Sequence, residues 1–166
     1  MLKKMKKKTK IELLVEILIN NKLTISTCES ASCGKLSATF GSVPGVSACF
    51  LGGLVTYSNE AKVILANVDY KSINEYSAIS EQVASEMALN CSKLLNASIG
   101  VSITGNAGPS ASEGKPVGKF FVGLSIFEKV DTYEFLLDPK FSREEMINII
   151  IEKTINIIYD IVSLIK

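Results

Sequence analysis

The stretch VSACFLGGLVTYSNEAK, residues 46–62, carries a serine (Ser47), a tyrosine (Tyr57) and a lysine (Lys62) in a 166-residue chain that contains no histidine. Without histidine, Ser-His-Asp and Cys-His catalysis are both excluded. A hydrolytic serine would have to use a lysine, a tyrosine or a carboxylate as its base. Lysine can act so when burial or a nearby cation lowers its pKa toward neutrality. Ser47 and Lys62 are fifteen positions apart, too far for one helix face. A strand and a turn would have to bring them together. By spacing alone the three are a loop serine, a strand tyrosine and a surface lysine, and only the missing histidine makes Lys62 the leading base.

Two further segments place small and polar residues where a strand meets a loop. ESASCG (Glu29, Ser30, Ala31, Ser32, Cys33, Gly34) could offer backbone N–H groups and hydroxyls to an anion at a helix N-terminus. TGNAGPS, beginning at Thr104 and Gly105, could do the same, because glycine lets the backbone approach a ligand. Either segment could equally be a tight connection between packed elements.

The elements that must position these residues follow from periodicity. Ile11, Leu14, Val15 and Leu18 have the spacing of an amphipathic helix. LTIST (23–27) reads as a short strand, followed by a helix with Ser30 or Ser32 as N-cap. GSVPGVS is a loop, GGLVTYS a strand and NEAKVILANV a short helix. From Ser80 a helix places Val83, Ala84, Met87, Ala88, Cys91, Leu94 and Leu95 on one face. SIGVSITG is a strand, KFFVGLSIF a strand buried on both faces, and TYEFLLD a half-buried strand. Ser142 followed by Glu145 is a capping-box start for a last helix running to about Ile165. Helices interleaved with about five strands predict an α/β sandwich around a mixed sheet. If the strands ending at TIST and VSIT are parallel neighbours, the loops that follow share a crevice, the usual ligand site of such sheets.

Composition bounds the class. The length suits one domain, and 47% hydrophobic residues can build a substantial core. No apolar run is long enough to span a bilayer, and no signal-peptide core follows the charged N-terminus, so a cytoplasmic protein is expected. Six lysines fall in the first ten residues, which predicts a basic flexible tail over residues 1–10 and a single domain over 11–166. The remainder is mildly acidic, which argues against a nucleic-acid-binding domain. Cys28, Cys33, Cys49 and Cys91 form no C-x-x-C pair and, without histidine, no Cys/His zinc site. They are expected to be free thiols, so no metal or other cofactor is called for. Arg143 is the only arginine among 18 basic residues.

CESASCGKLSA resembles the AESCTGG signature of the CinA carboxy-terminal domain family. PGVSACFLGGLVTYSNEAK is similar to that family's PGSS…GxVTYSNEAK segment, SITGNAGPSASEGKPVGKFFVGL to SITGIAGPDGG…KPVGTVYI, and FSREEMINIIIEKTINII to the start of its GDRExVRxxA helix. The resemblance runs in order over nearly the whole chain from about Thr9. It implies a three-layer α/β sandwich with the activity of a nicotinamide-nucleotide amidase. Such an enzyme hydrolyses the carboxamide of nicotinamide mononucleotide (NMN) to nicotinate mononucleotide and ammonia in pyridine-nucleotide salvage. Many members carry a molybdopterin-binding-like domain ahead of this one. None is present in this sequence, so a free-standing amidase is expected, with a small nucleotide as partner, no membrane or nucleic acid, and a homo-oligomeric state.

The resemblance maps a nucleophile onto Ser47, with Lys62 or Tyr57 as general base. It maps substrate-binding residues onto Thr104 and onto Arg143, whose guanidinium would grip phosphate in a fork. Glu29, Ser30, Ser32, Gly34 and Gly105 are expected to line the same pocket, Glu29 orienting Lys62 or binding ribose hydroxyls. The sequence departs from the family pattern at Cys33, which replaces a glycine, at Ala31, and in a shorter 108–118 loop. A side chain at position 33 is strained if the backbone there needs positive φ. Two other readings stay open: a non-catalytic nucleotide-binding or competence-associated module on the same scaffold, and an amidase for another small carboxamide.

Overall fold

In the computed structural model, which describes residues 7–165, the strands and helices pack as one mixed sheet between two helical layers. The order along the chain is α1 (Lys10–Asn20), β1 (Ile25–Glu29), α2 (Lys35–Gly41), β2 (Phe50–Val55), α3 (Asn59–Ala66), α4 (Tyr70–Tyr76), α5 (Glu81–Leu95), β3 (Ile99–Gly105), β4 (Lys119–Ile126), β5 (Lys129–Leu136) and α6 (Arg143–Val162). The sheet order is β2-β1-β3-β4-β5. β1 runs parallel to both β2 and β3, while β4 and β5 are antiparallel additions. The carboxyl ends of β2, β1 and β3 therefore lie along one edge.

Alternation along the strands sorts the two layers. Ile25 of β1 and Ile99, Val101 and Ile103 of β3 share a core with Leu14 and Leu18 of α1, Leu36 and Phe40 of α2, and Met146, Ile150 and Ile158 of α6. On the other face Cys28 packs with Ala66 of α3, Ile73 of α4, and Val83, Met87 and Cys91 of α5. Burying each large apolar side chain contributes roughly 2 kcal/mol. α5 lies close against the sheet because β3 and β4 offer it small residues. A Cβ at Gly100 would come 2.1 Å from the Ala88 carbonyl oxygen, and one at Gly123 would come 2.3 Å from that of Ala84. Ser102 Oγ between them donates to the Ala84 carbonyl at 2.6 Å.

The helix starts follow local chemistry. Ser142 and Glu145 form the expected capping box of α6, and Ser80 caps α5. Of the expected α5 face, Leu94 is the exception: it is exposed, and the helix stops one residue later. The expected serine cap of α2 is replaced. Its N-cap is Gly34, at φ +90°, and the helix N-terminus is held instead by the Glu29 carboxylate. α4 has no counterpart in the sequence reading. Seven residues with Ile73 as the only buried one give too short a period to recognise. Of the expected basic tail, residues 1–6 lie outside the described residues. Its last residues belong to the start of α1, where Thr9 and Glu12 form a capping box and Lys8 pairs with Glu16. Among the described residues, no helix is long and apolar enough to cross a membrane.

Candidate active site

Strand alternation decides which side chain of ESASCG enters the crevice. In β1, Thr27 and Glu29 face α2: Thr27 Oγ1 lies 2.7 Å from Ser37 Oγ, and Glu29 accepts from the backbone of the same helix. Cys28 faces α3 and α5, and Ser30, two positions on, continues on that side. There it meets Lys62, which α3 projects from its first turns with Ala66 buried one turn later. Lys62 Nζ donates to Ser30 Oγ at 3.0 Å, to the Thr56 carbonyl at 3.0 Å and to the Tyr57 carbonyl at 3.2 Å. The side chain is 2% exposed, and no carboxylate forms an ion pair with it among the described residues. Burial pulls the Lys62 pKa below the ordinary lysine value, against smaller opposing effects of Cys28, Glu113 and Glu60. A lysine amine in this setting can lose its proton and accept one from the serine.

Ser30 is itself fixed. Its backbone N–H donates to the Ile103 carbonyl at 2.9 Å, tying the end of β1 to β3. A turn follows, closed by Cys33 N–H donating to the Ser30 carbonyl at 3.1 Å. Within that turn the N–H groups of Ala31 and Ser32 donate to no protein acceptor among the described residues. Two such groups directly after a nucleophile are the kind of donors that stabilise a tetrahedral oxyanion.

These residues open onto a cavity of about 200 Å³ at the carboxyl ends of β1 and β3. Ser30, Lys62, Thr104, Gly105, Tyr57 and Arg143 all border it. The crevice anticipated between the two loops is therefore present, with β1 and β3 as parallel neighbours. Thr104 Oγ1 donates to the Ala78 carbonyl at 2.7 Å and fixes that wall. At the rim Arg143 Nη1 donates to the Gly108 carbonyl at 2.8 Å and Nη2 to Tyr57 Oη at 3.1 Å. Asn106 braces the following loop, accepting from Gly108 N–H and donating to the Lys115 carbonyl. A second groove of about 290 Å³, between α1 and Val43–Pro44, is lined by no hydroxyl or thiol.

The model of the CinA C-terminal domain matches residues 7–162. The chain belongs to the CinA C-terminal domain family. It is 48% identical over 115 residues to the CinA-like protein of Chlorobaculum tepidum, covering 69% of this chain and 27% of that protein. The chain spans between 27% and 35% of the length of the curated relatives it matches. A competence-damaged protein (CinA) superfamily protein from Escherichia coli superposes with a TM-score of 0.85 at 27% identity, covering 93% of this chain and 90% of that one. The competence damage-inducible protein A from Klebsiella pneumoniae superposes with a TM-score of 0.89 at 24% identity, covering 96% and 100%, a likeness of fold.

This CinA domain corrects several expectations about single residues. Ser47 is not brought to Lys62. It is exposed in a 3₁₀ turn, Val46–Ala48, that leads into β2, whereas Tyr57 and Lys62 follow the far end of that strand. Six extended residues separate the two ends by about 20 Å, so the strand holds Ser47 away rather than folding it back. Glu29 neither bonds Lys62 nor borders the cavity. Its carboxylate accepts from the N–H groups of Gly34, Leu36 and Ser37 and from Ser37 Oγ, all on the α2 side. Gly34 spends its own N–H on that carboxylate, and neither it nor Ser32 borders the cavity. Ser32 Oγ is buried with no hydrogen-bond partner. Cys33 does sit at φ +48°, in the left-handed region, with its thiol exposed.

The cavity also holds residues that the sequence did not single out. Asn59 and Asn106 lay inside quoted motifs and could have been found there. Glu113 is brought back over the cavity by the 108–118 loop, its carboxylate accepting from Asn59 Nδ2 at 3.4 Å and from Ala78 N–H at 3.3 Å. Ala78 and Ile79 carry no chemical signature, and their place depends on the turn between α4 and α5.

Proposed function

We propose that this CinA domain is a Ser-Lys amidase of a nicotinamide nucleotide, with Ser30 as the nucleophile and Lys62 as the base. The observation that carries the reading is the buried Lys62 amine 3.0 Å from Ser30 Oγ at the floor of the strand-end crevice. In the proposed cycle, Ser30 Oγ attacks the carboxamide carbon of NMN while its proton passes to Lys62 Nζ. The oxyanion is met by the N–H group of Ala31, which borders the cavity. The carbon–nitrogen bond then breaks, and the departing nitrogen takes the proton from Lys62, leaving as ammonia. Water attacks the acyl-enzyme and gives its proton to Lys62. The serine–acyl bond breaks, Ser30 Oγ recovers a proton from Lys62, and nicotinate mononucleotide is released. Arg143 would hold the phosphate, with Tyr57 placing its guanidinium rather than relaying protons. The chemistry needs no metal, since the base is a side chain and the electrophile is already polarised.

The test is ammonia release from NMN. Ser30→Ala and Lys62→Met are expected to lose at least a thousandfold in kcat, in line with removal of a nucleophile or its base. Ser47→Ala should keep nearly full activity. Undiminished turnover by Ser30→Ala would refute the assignment of the nucleophile.

A further inference from the structure

We propose that Glu113 makes the cavity select a cationic ring, so that a pyridinium carboxamide nucleotide is preferred to its uncharged dihydropyridine counterpart. The inference rests on the nucleotide-amidase reading above and adds a specificity determinant to it. Three charged side chains border the cavity: Lys62, Arg143 and Glu113, of which Glu113 alone is acidic. Although Arg143 and Glu113 share this small space, they form no ion pair with each other or with any other described residue. Arg143 is committed to the Gly108 carbonyl and Tyr57 Oη, on one part of the rim. Glu113 is held on another, by Asn59 Nδ2 and Ala78 N–H. Both contacts to its carboxylate are long, and a carboxylate has about four acceptor sites, so it retains capacity for a further partner.

Two opposite charges that border one cavity without pairing with each other fit a ligand that is itself dipolar. NMN has this pattern: an anionic phosphate at one end, a cationic pyridinium at the other, and the carboxamide on that ring. With its phosphate at Arg143 and its carboxamide at Ser30, the ring lies in the field of Glu113. Without Glu113, the site would present only Arg143 and any protonated Lys62, a positive field that repels a pyridinium.

The experiment compares NMN with its reduced dihydropyridine form, which keeps the phosphate, ribose and carboxamide and loses only the ring charge. Binding of each is measured by calorimetry to Ser30→Ala and to Ser30→Ala/Glu113→Gln. The single variant is expected to bind NMN about tenfold more tightly than the reduced form, and the double variant to lose that preference through weaker NMN binding alone. With Ser30 intact, Glu113→Gln should raise KM for NMN about tenfold with kcat little changed, and Glu113→Asp should restore most of the loss. A preference that survives Glu113→Gln, or equal weakening of both nucleotides, overturns the proposal while leaving the amidase reading in place. Charge-selective binding without ammonia release by the intact protein overturns the amidase reading and leaves Glu113 standing. If neither nucleotide binds, both fall.

Discussion

At the scale of single residues the proposed mechanism rests on Lys62, and its pKa gives a prediction with a definite sign. The amine is buried, and burial disfavours its charged form, so the folded-state pKa lies below the ordinary 10.5. Only the neutral amine can take the Ser30 proton. Under the proposed function, the rate of NMN hydrolysis should therefore rise with pH along a limb whose midpoint lies below 10.5, and Lys62→Arg, which cannot lose its proton, should have no turnover at any pH. The same shift fixes a stability trend. Below the folded pKa both states are protonated, and the cost of burying the charge is carried in full. Between the folded pKa and 10.5 the unfolded chain binds more protons, so stability must rise with pH. Urea unfolding across that window should show the rise in the wild type and lose it in Lys62→Met. This residue was legible in the sequence because the chain has no histidine to compete with it. Its partner was not. Ser30 and Lys62 are 32 positions apart, and their contact exists only because α3 follows β2 and returns over the side of β1 to which Ser30 points.

Among the elements, the β1–α2 connection shows how a polar cluster can be read two ways. ESASCG has the composition of an anion-binding turn, yet its acid is used internally. The buried Glu29 carboxylate replaces a cap side chain and satisfies three backbone N–H groups at the start of α2. Glu29→Ala should therefore cost on the order of 3 kcal/mol in stability, measured by chemical unfolding, because it leaves those donors without an acceptor. The purpose of this arrangement is visible one residue later: the turn that Glu29 anchors presents Ser30 and the unused N–H group of Ala31 to the cavity. Short apolar runs between turn residues made the strands recognisable, but they could not say which face of β1 would meet α2 and which α3, since both faces are buried. A fully buried strand carries no polar side to orient it. The sequence showed β2 as an extended segment, but its register against β1, which places Ser47 at the end away from Lys62, is a property of the sheet and not of the segment.

For the whole molecule, the close seating of α5 on the sheet sets the depth of the crevice, because α5, the turn at Ala78 and the wall at Thr104 are joined by hydrogen bonds and packing. Gly123→Ala should disturb it: the new methyl group would lie 2.3 Å from the Ala84 carbonyl oxygen, and overpacking of this kind costs on the order of 2 kcal/mol. Gly41→Ala is the matched control, since nothing lies within 4 Å of its added Cβ, and it should leave the thermal unfolding midpoint unchanged or slightly higher. The sequence by itself determined the order of the elements other than α4, a mixed sheet of about five strands and the need for a base other than histidine. All of these follow from local periodicity, turn chemistry and composition, which are properties of neighbouring residues. Only the tertiary structure decided that Ser30 rather than Ser47 faces Lys62, that Glu29 braces a helix and that Glu113 closes over the cavity. Those are contacts between residues distant in the chain, fixed by strand pairing and by which face of the sheet each helix covers, and no spacing within a single segment encodes them.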